Sequence, residues 1–257
     1  MHGLTVRIAS VNLASAMPDL SIALCLRDDE ILATLDAAKR SRQVVLVHCE
    51  NEDAIRYLIG RREADGDTAP YHHATSRPIA AEREATHRAL SLAEIVDTPI
   101  VIVHVSNREA MEEISRARLR GQKIAGETCP QYLVLTADDL DLEDFEGAKF
   151  VCSPPPRDKE SQDACWSGLE NGVFDLYSSD HCPFRFDDPG GKKTEKGMQS
   201  FRWIPNGIPG VATRLPILFS EGVKTGRIDL NRFVALTSTN HAKLYGLYPQ
   251  KGTIAVG

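Results

Sequence analysis

No apolar run in this chain approaches the roughly 20 residues that a membrane-spanning helix needs, so no membrane partner is expected. The opening stretch MHGLTVRIASVNLASAMP has one arginine and no long apolar core, which makes it a poor secretion signal. A cytoplasmic location is expected. None of the six cysteines (Cys25, Cys49, Cys129, Cys152, Cys165 and Cys182) forms a C-x-x-C pair. That absence argues against zinc-ribbon and thioredoxin-like sites. The cysteines are scattered, several within apolar runs, and read as buried free thiols in a reducing compartment. Positive charge is also short: 36 acidic residues against 30 basic ones give a formal net charge of -6. That balance gives no reason to expect nucleic acid or anionic lipid as a partner. A small neutral substrate fits better. Internal repeats and low-complexity tracts are absent as well.

What is present is 257 residues, 42% of them hydrophobic, enough for one large α/β domain or two small ones. Short apolar runs alternate with amphipathic helical patterns, the signature of repeated βα units around a parallel sheet. The clearest unit starts at Pro99. Residues 99–104 (PIVIVH) form a continuous β-branched run, as a strand buried on both faces should. Ser106 or Asn107 then caps a helix to Leu119, with Ala110, Met111, Ile114 and Ala117 on one face and Gly121 closing it. Asp28 is expected to cap a helix carrying Ile31, Leu32, Leu35 and Ala38, with a strand at 44–48 after it. Pro78 suits the first turn of a helix through Ile95. Further strands are predicted at 122–126, 148–152 and 173–178, and further helices at 162–171, 213–221 and 229–237. A last short helix, HAKLYG, is expected to be capped by Thr239 or Asn240 and stopped by Gly246. Residues 61–77 and 183–211 read as loops, and a loop as long as the second is usually functional.

Chemistry concentrates at the ends of three apolar runs: His48 in VVLVHCEN, His104 in PIVIVHVS and Asp180 in FDLYSSDHCPF. Residues at the C-terminal ends of parallel barrel strands share one mouth. Two imidazoles and a carboxylate gathered there make a metal site, in which the carboxylate is a ligand or the base. A single such histidine would more often be a hydrogen-bonded core residue, and Asp180 alone could be a turn aspartate. His181 should point away from Asp180 on an extended backbone. His72, His73 and His87 read as solvated or as supports behind the site. In C-S-P-P-P-R (152–157) the prolines stiffen a strand-end turn and leave Ser153 to bond a ligand; a plain stiff loop is as good a reading.

VVLVHCEN, PIVIVHVS, GETCPQYL, KFVCSPPPR, SSDHCPF, IPNGIPG, STNHAKLYGLYPQKG and IAVG occur in this order. Together they closely resemble the dihydropyrimidinase/hydantoinase branch of the cyclic amidohydrolases, from Asp28 to Gly257. The I-P-N-G motif favours that branch over the allantoinases. The resemblance implies a (β/α) TIM-type barrel and two divalent metals, usually zinc. It implies hydrolytic opening of a cyclic amide, a dihydropyrimidine or hydantoin, to an N-carbamoyl amino acid. His48 and His104 match single-histidine metal ligands, and Asp180 matches the metal-bound aspartate that shuttles the proton. Ser153 and Asn206 match positions that hold the ring's amide groups. A homodimer or homotetramer is implied too.

The same comparison exposes gaps. Such proteins carry an H-x-H pair on the first barrel strand and a carboxylated lysine that bridges the metals. Here only His2 precedes His48, no H-x-H occurs, Ile22 stands at the lysine position, and no lysine precedes Lys39. A substrate-binding tyrosine near that lysine is missing as well. The expectation is therefore an incomplete barrel of about six of the usual eight βα units, spanning residues 1–249. Residues 250–257 would begin a truncated β-sandwich segment. Three readings stay open: a shortened cyclic amidohydrolase, a non-catalytic relative used for assembly or binding, and a single-metal variant using His48, His104 and Asp180. Non-catalytic relatives, the collapsin response mediator proteins, typically lose the histidines kept here, which counts against the second.

Overall fold

The computed structural model describes residues 3–5 and 25–256. His2 and Ile22 lie outside them. Gly3–Thr5 (β1) pairs antiparallel with Cys25–Arg27 (β2) in a ribbon separate from the main sheet. Asp28–Ser41 (α1) buries Ile31, Leu35 and Ala38, as its spacing predicts. Its cap is Arg27 rather than Asp28, with the Arg27 N–H donating to Glu30 Oε2 at 2.8 Å. Asp28 opens the helix instead, where negative charge suits the positive end of the dipole.

Val45–Val47 (β3) leads to Glu52–Ala64 (α2), and His72–Thr75 (α3) to Ile79–Ile95 (α4). Part of the expected loop at 61–77 is thus helical. Asn51 caps α2 by accepting from the Ala54 N–H at 3.0 Å, and Ile55 and Ile59 anchor its buried face. The charges that suggested a loop lie on the helix's outer side. Ile100–Ile102 (β4) and Arg108–Leu119 (α5) follow the prediction closely. Asn107 caps α5, and Ala110, Met111, Ile114 and Ala117 are all buried. The next strand, Ile124–Thr128 (β5), is displaced two residues from 122–126. It takes in Glu127, an acidic residue that sequence patterning placed outside.

After Gln131–Val134 (α6), the strand predicted at 148–152 is absent. Residues Glu146–Phe150 make a tight 3-10 turn instead, entered through Phe145 at φ 67°. Ala148 and Val151 are buried in a satellite cluster with Ile55, Ile59, Phe201 and Ile204, so their apolar character serves side-chain packing rather than a ladder. Lys159–Asn171 (α7) is capped by Asp158 and ended at Gly172, and Leu176–Tyr177 (β6) is the last strand. Residues 183–211 are mostly irregular, with a short helix at Glu195–Gln199 (α8) and a 3-10 turn at Phe201–Trp203. Arg214–Ile217 (α9) widens into π-type turns over Leu218–Val223. Leu230–Val234 (α10) widens likewise over Ala235–Thr239 and runs straight into Asn240–Leu244 (α11). Thr239 and Asn240 have helical dihedrals, so neither caps a separate helix. No strand is described at 250–256, where the β-sandwich segment was expected to begin.

The main sheet runs β3-β4-β5-β6, all parallel, with Val45 opposite Ile100, Ile100 opposite Ile124 and Glu127 opposite Leu176. It is an arc of a (β/α) barrel with four strands among the described residues, fewer than the about six units expected; of the five strands predicted by position, 148–152 is the one that does not form. Its apolar strands pack with Ile31, Leu35, Leu90, Ile114 and Leu169 into the core. Cys49, Cys129, Cys152 and Cys165 are buried free thiols as expected, whereas Cys182 is exposed. No helix among the described residues is long and apolar enough to cross a membrane.

A buried ion pair ties this arc together. Arg157, from the S-P-P-P-R turn, donates through Nη2 to Glu82 Oε2 on α4 at 2.8 Å, through Nε to Ser106 Oγ at 2.9 Å, and to the Arg77 carbonyl. The Ser106 N–H, just beyond β4, also donates to Glu82, at 2.9 Å. Removing one partner leaves a charge buried alone. Arg157→Met is expected to cost about 3–5 kcal/mol, measured by urea unfolding, and Glu82→Leu added to it should recover part of that loss.

Candidate functional site

In a parallel sheet every strand delivers its C-terminal end to the same side. Here β3 delivers His48, β4 delivers His104, β5 delivers Glu127 and β6 leads to Asp180. The ladder continues past the strands to hold this alignment, with the Val105 N–H donating to the Glu127 carbonyl at 2.8 Å and the Ser178 N–H to Thr128 at 3.2 Å. His104 and Asp180 both have φ near 42°, a left-handed backbone that non-glycine residues seldom adopt. Such conformations cluster where side chains are aimed for a purpose.

The structure brings the two predicted histidines into contact. His48 Nδ1 lies 2.9 Å from His104 Nε2, and both rings are buried. The other nitrogen of His48, Nε2, lies 3.0 Å from Glu50 Oε2. Burial pushes the Glu50 carboxyl up, but His48, Arg77 and Arg157 outweigh it and hold it at about 2. An ionised carboxylate only accepts, so His48 carries a proton on Nε2. With a neutral ring, Nδ1 then accepts and His104 Nε2–H donates. The two facing nitrogens could hold a metal once the proton on His104 Nε2 moves to its Nδ1, and Glu50 would then orient His48 as a carboxylate commonly orients a ligating histidine.

Glu127 is a member of this mouth that patterning missed. It is buried and receives the His104 backbone N–H at 3.4 Å. Burial pushes its carboxyl up to about 7, and the nearby Asp180 charge adds to the rise against the Ser178 hydroxyl, His104 and Arg214. The available signal was an acid inside an otherwise apolar run, IAGET. Asp180 itself is exposed. His181 turns away from it, as expected, and its Nδ1 accepts from Gly210 N–H at 3.0 Å and Val211 N–H at 3.2 Å.

The two predicted ring-binding residues also meet. Ser153 Oγ donates to Asn206 Oδ1 at 2.8 Å. Gly207 next to Asn206 sits at φ 146°, and a Cβ there would lie 2.4 Å from the Cys182 carbonyl, so only glycine fits this turn. His73 stands behind Ser153. It is buried rather than solvated, and Nε2 lies 2.8 Å from the Cys152 carbonyl and 3.4 Å from Ser153 Oγ. Arg77 reaches His73 Nδ1 at 3.1 Å and lies 3.8 Å from Glu50. Burial, reinforced by Arg77, keeps the His73 pKa well below the usual histidine range. Its Nε2–H therefore donates to the Cys152 carbonyl. A polar chain thus runs from the histidine pair through Glu50, Arg77 and His73 to Ser153.

Catalytic metal sites take three or more protein ligands. Among the described residues no group of three His, Cys, Asp or Glu is placed to hold an ion. The donor chemistry of His48 and His104 suits a metal, but the set is incomplete, and no step of a reaction can be routed through a metal on this geometry.

The amidohydrolase family profile matches residues 19–257. The chain belongs to the amidohydrolase family. Members of this family are metal-dependent. A D-hydantoinase of Rhizobium radiobacter is 51% identical over 230 residues, covering 90% of this chain and 49% of the relative. A D-hydantoinase of Ralstonia pickettii is 52% identical with the same coverage. The crystal structure of dihydropyrimidinase from Brevibacillus agri NCHU1002 superposes with a TM-score of 0.87 at 50% identity, over 91% of this chain and 50% of that one. The chain therefore spans about half the length of the amidohydrolase relatives it matches.

Glu127 makes a pH prediction for the metal-free protein. Its folded pKa is raised to about 7, so between the ordinary glutamate value and 7 the folded state binds more protons than the unfolded one. Stability contributed by the protonated carboxyl is present at acid pH and lost as pH rises through 7. Glu127→Gln should raise stability by about 3 kcal/mol at pH 8 and far less at pH 5. Thermal unfolding at both values checks this, and an equal shift at both would contradict it.

Proposed function

We propose that this chain carries part of the active site of a cyclic amidohydrolase of the hydantoinase/dihydropyrimidinase type. The observation that supports this best is the direct pairing of Ser153 with Asn206, joined to the His48–His104 pair through Glu50, Arg77 and His73. The ring of a hydantoin or dihydropyrimidine presents alternating N–H and C=O groups. A hydroxyl and a carboxamide side by side supply complementary donors and acceptors, and would exchange their mutual bond for bonds to the ring. The established names of the relatives point to the same substrates.

In the reaction, a water oxygen bonds to the ring carbonyl carbon. Asp180 takes the proton that the water gives up and returns it to the ring nitrogen as the C–N bond breaks, leaving an N-carbamoyl amino acid. Asp180 is suited to this because it is exposed to solvent at the mouth, where an ionised carboxylate costs little. His48 and His104 are the metal-facing groups of the proposal. Zinc is among the ions that imidazoles suit, and two ions would make up a complete site. Cytoplasmic location, a role in pyrimidine breakdown and assembly as a homodimer or homotetramer belong to the same proposal. A non-catalytic assembly role is disfavoured because both metal-facing histidines are kept and paired.

Two outcomes are expected of the purified chain with added zinc. Hydantoin or dihydrouracil should bind, and bind more weakly after Ser153→Ala. Metal should bind weakly, with little or no N-carbamoyl product. Two tightly held metals with rapid turnover would contradict the incomplete donor set, and no binding of either ring would contradict the cyclic-amide reading.

A further inference from the structure

The loop 183–211 contains a lysine that the reaction above does not use. Lys192 is only 2% exposed, yet the partners of its ammonium are two backbone carbonyls rather than a carboxylate. Nζ donates to the Val151 carbonyl at 2.6 Å and to the Pro205 carbonyl at 2.5 Å. A buried cation normally requires a counter-charge, so one whose hydrogen-bond partners are both carbonyls is held there at a cost. Its own loop is fixed beneath it, with the Lys192 N–H donating to the Arg185 carbonyl at 2.9 Å and the Phe184 ring 5.6 Å from Nζ.

The two carbonyls are informative by position. Val151 lies two residues before Ser153, and Pro205 immediately precedes Asn206. The Gly207 N–H adds a direct bond to Val151 at 3.0 Å. Lys192 therefore bridges the two turns that present the hydroxyl and the carboxamide. We propose that Lys192 is a positioning residue for ring binding: its ammonium sets the spacing of Ser153 and Asn206 by holding Val151 and Pro205 together. The inference rests on the reading of that pair as the ring-amide site.

The charge on Lys192 is adjustable. Burial pulls its pKa down to about 8, with Cys152 and Cys182 opposing. The other ionisable groups facing it are His73, Cys152 and Cys182, with Arg185, Asp188 and Lys193 on its own loop. Burial pushes the Cys152 thiol up to about 12 and takes the His73 pKa well below its usual range. Cys182 is the exposed thiol among these neighbours, and Cys182→Ser serves as its control.

Two readouts on the intact chain test the proposal: backbone amide NMR of Ser153, Asn206 and Gly207 across the Lys192 transition, and hydantoin affinity over the same range. The three amides should titrate together near pH 8, in Cys182→Ser as in the unaltered protein, and hydantoin should bind about tenfold more weakly above it. Lys192→Met should bind weakly at every pH. Lys192→Arg, charged throughout, should lose the alkaline decline. Unlinked amide titrations would overturn the proposal even if Lys192→Met fails to fold, and so would hydantoin affinity that ignores both pH and the Met substitution. If hydantoin does not bind at all, the cyclic-amide reading fails, and the shared amide transition alone decides whether Lys192 couples the two turns.

Discussion

The contact on which the rest of the site depends is the one between His48 Nδ1 and His104 Nε2. It exists because β3 and β4 are parallel and in register, so that side chains distant in sequence emerge at one mouth. Glu50 then commits the far nitrogen of His48 and leaves the near one facing His104. Because Glu50 is a buried carboxylate, it requires positive neighbours, and Arg77 and Arg157 provide them. Arg77 extends the chain to His73, and His73 to the turn that carries Ser153. The His48–His104 pair and the Ser153–Asn206 pair are therefore joined through a chain of buried polar contacts.

Buried charge is distributed unevenly over the fold. Glu82 and Arg157 satisfy one another and close the arc where α4, the end of β4 and the S-P-P-P-R turn meet. Glu127 and Lys192 are less fully compensated, and burial drives each toward its neutral form. One sits behind His104 and the other beneath the Ser153–Asn206 pair. Imperfectly neutralised groups of this kind are expected where a site is built to receive a further charge or a polar ligand.

Much of this organisation was legible in the sequence. The run PIVIVH, the Asn107 cap and the stripe Ala110, Met111, Ile114 and Ala117 state a βα unit in local terms, and the structure follows them. Strand-end placement put His48 and His104 at one mouth, and motif resemblance singled out Ser153 and Asn206, which the structure brings into contact. The residues that escaped are those whose role is set by tertiary contacts. AKFVC reads as a strand, but its apolar atoms fill a satellite cluster under the long loop. His73 and Lys192 carry polar side chains in polar or mixed surroundings, and nothing local marks them as buried, while Glu127 was marked only as an acid within the run IAGET. Helix α2 hid behind its own charged outer face.

On the proposed reading, His48 and His104 act as one donor pair aimed at a common point. Histidine-selective nitrogen NMR during zinc titration tests it most directly. The account predicts that the ring signals of His48 and His104 shift together at the lowest zinc levels, with His72, His87 and His181 unchanged. A first response at those other histidines, or movement of only one member of the pair, would contradict it.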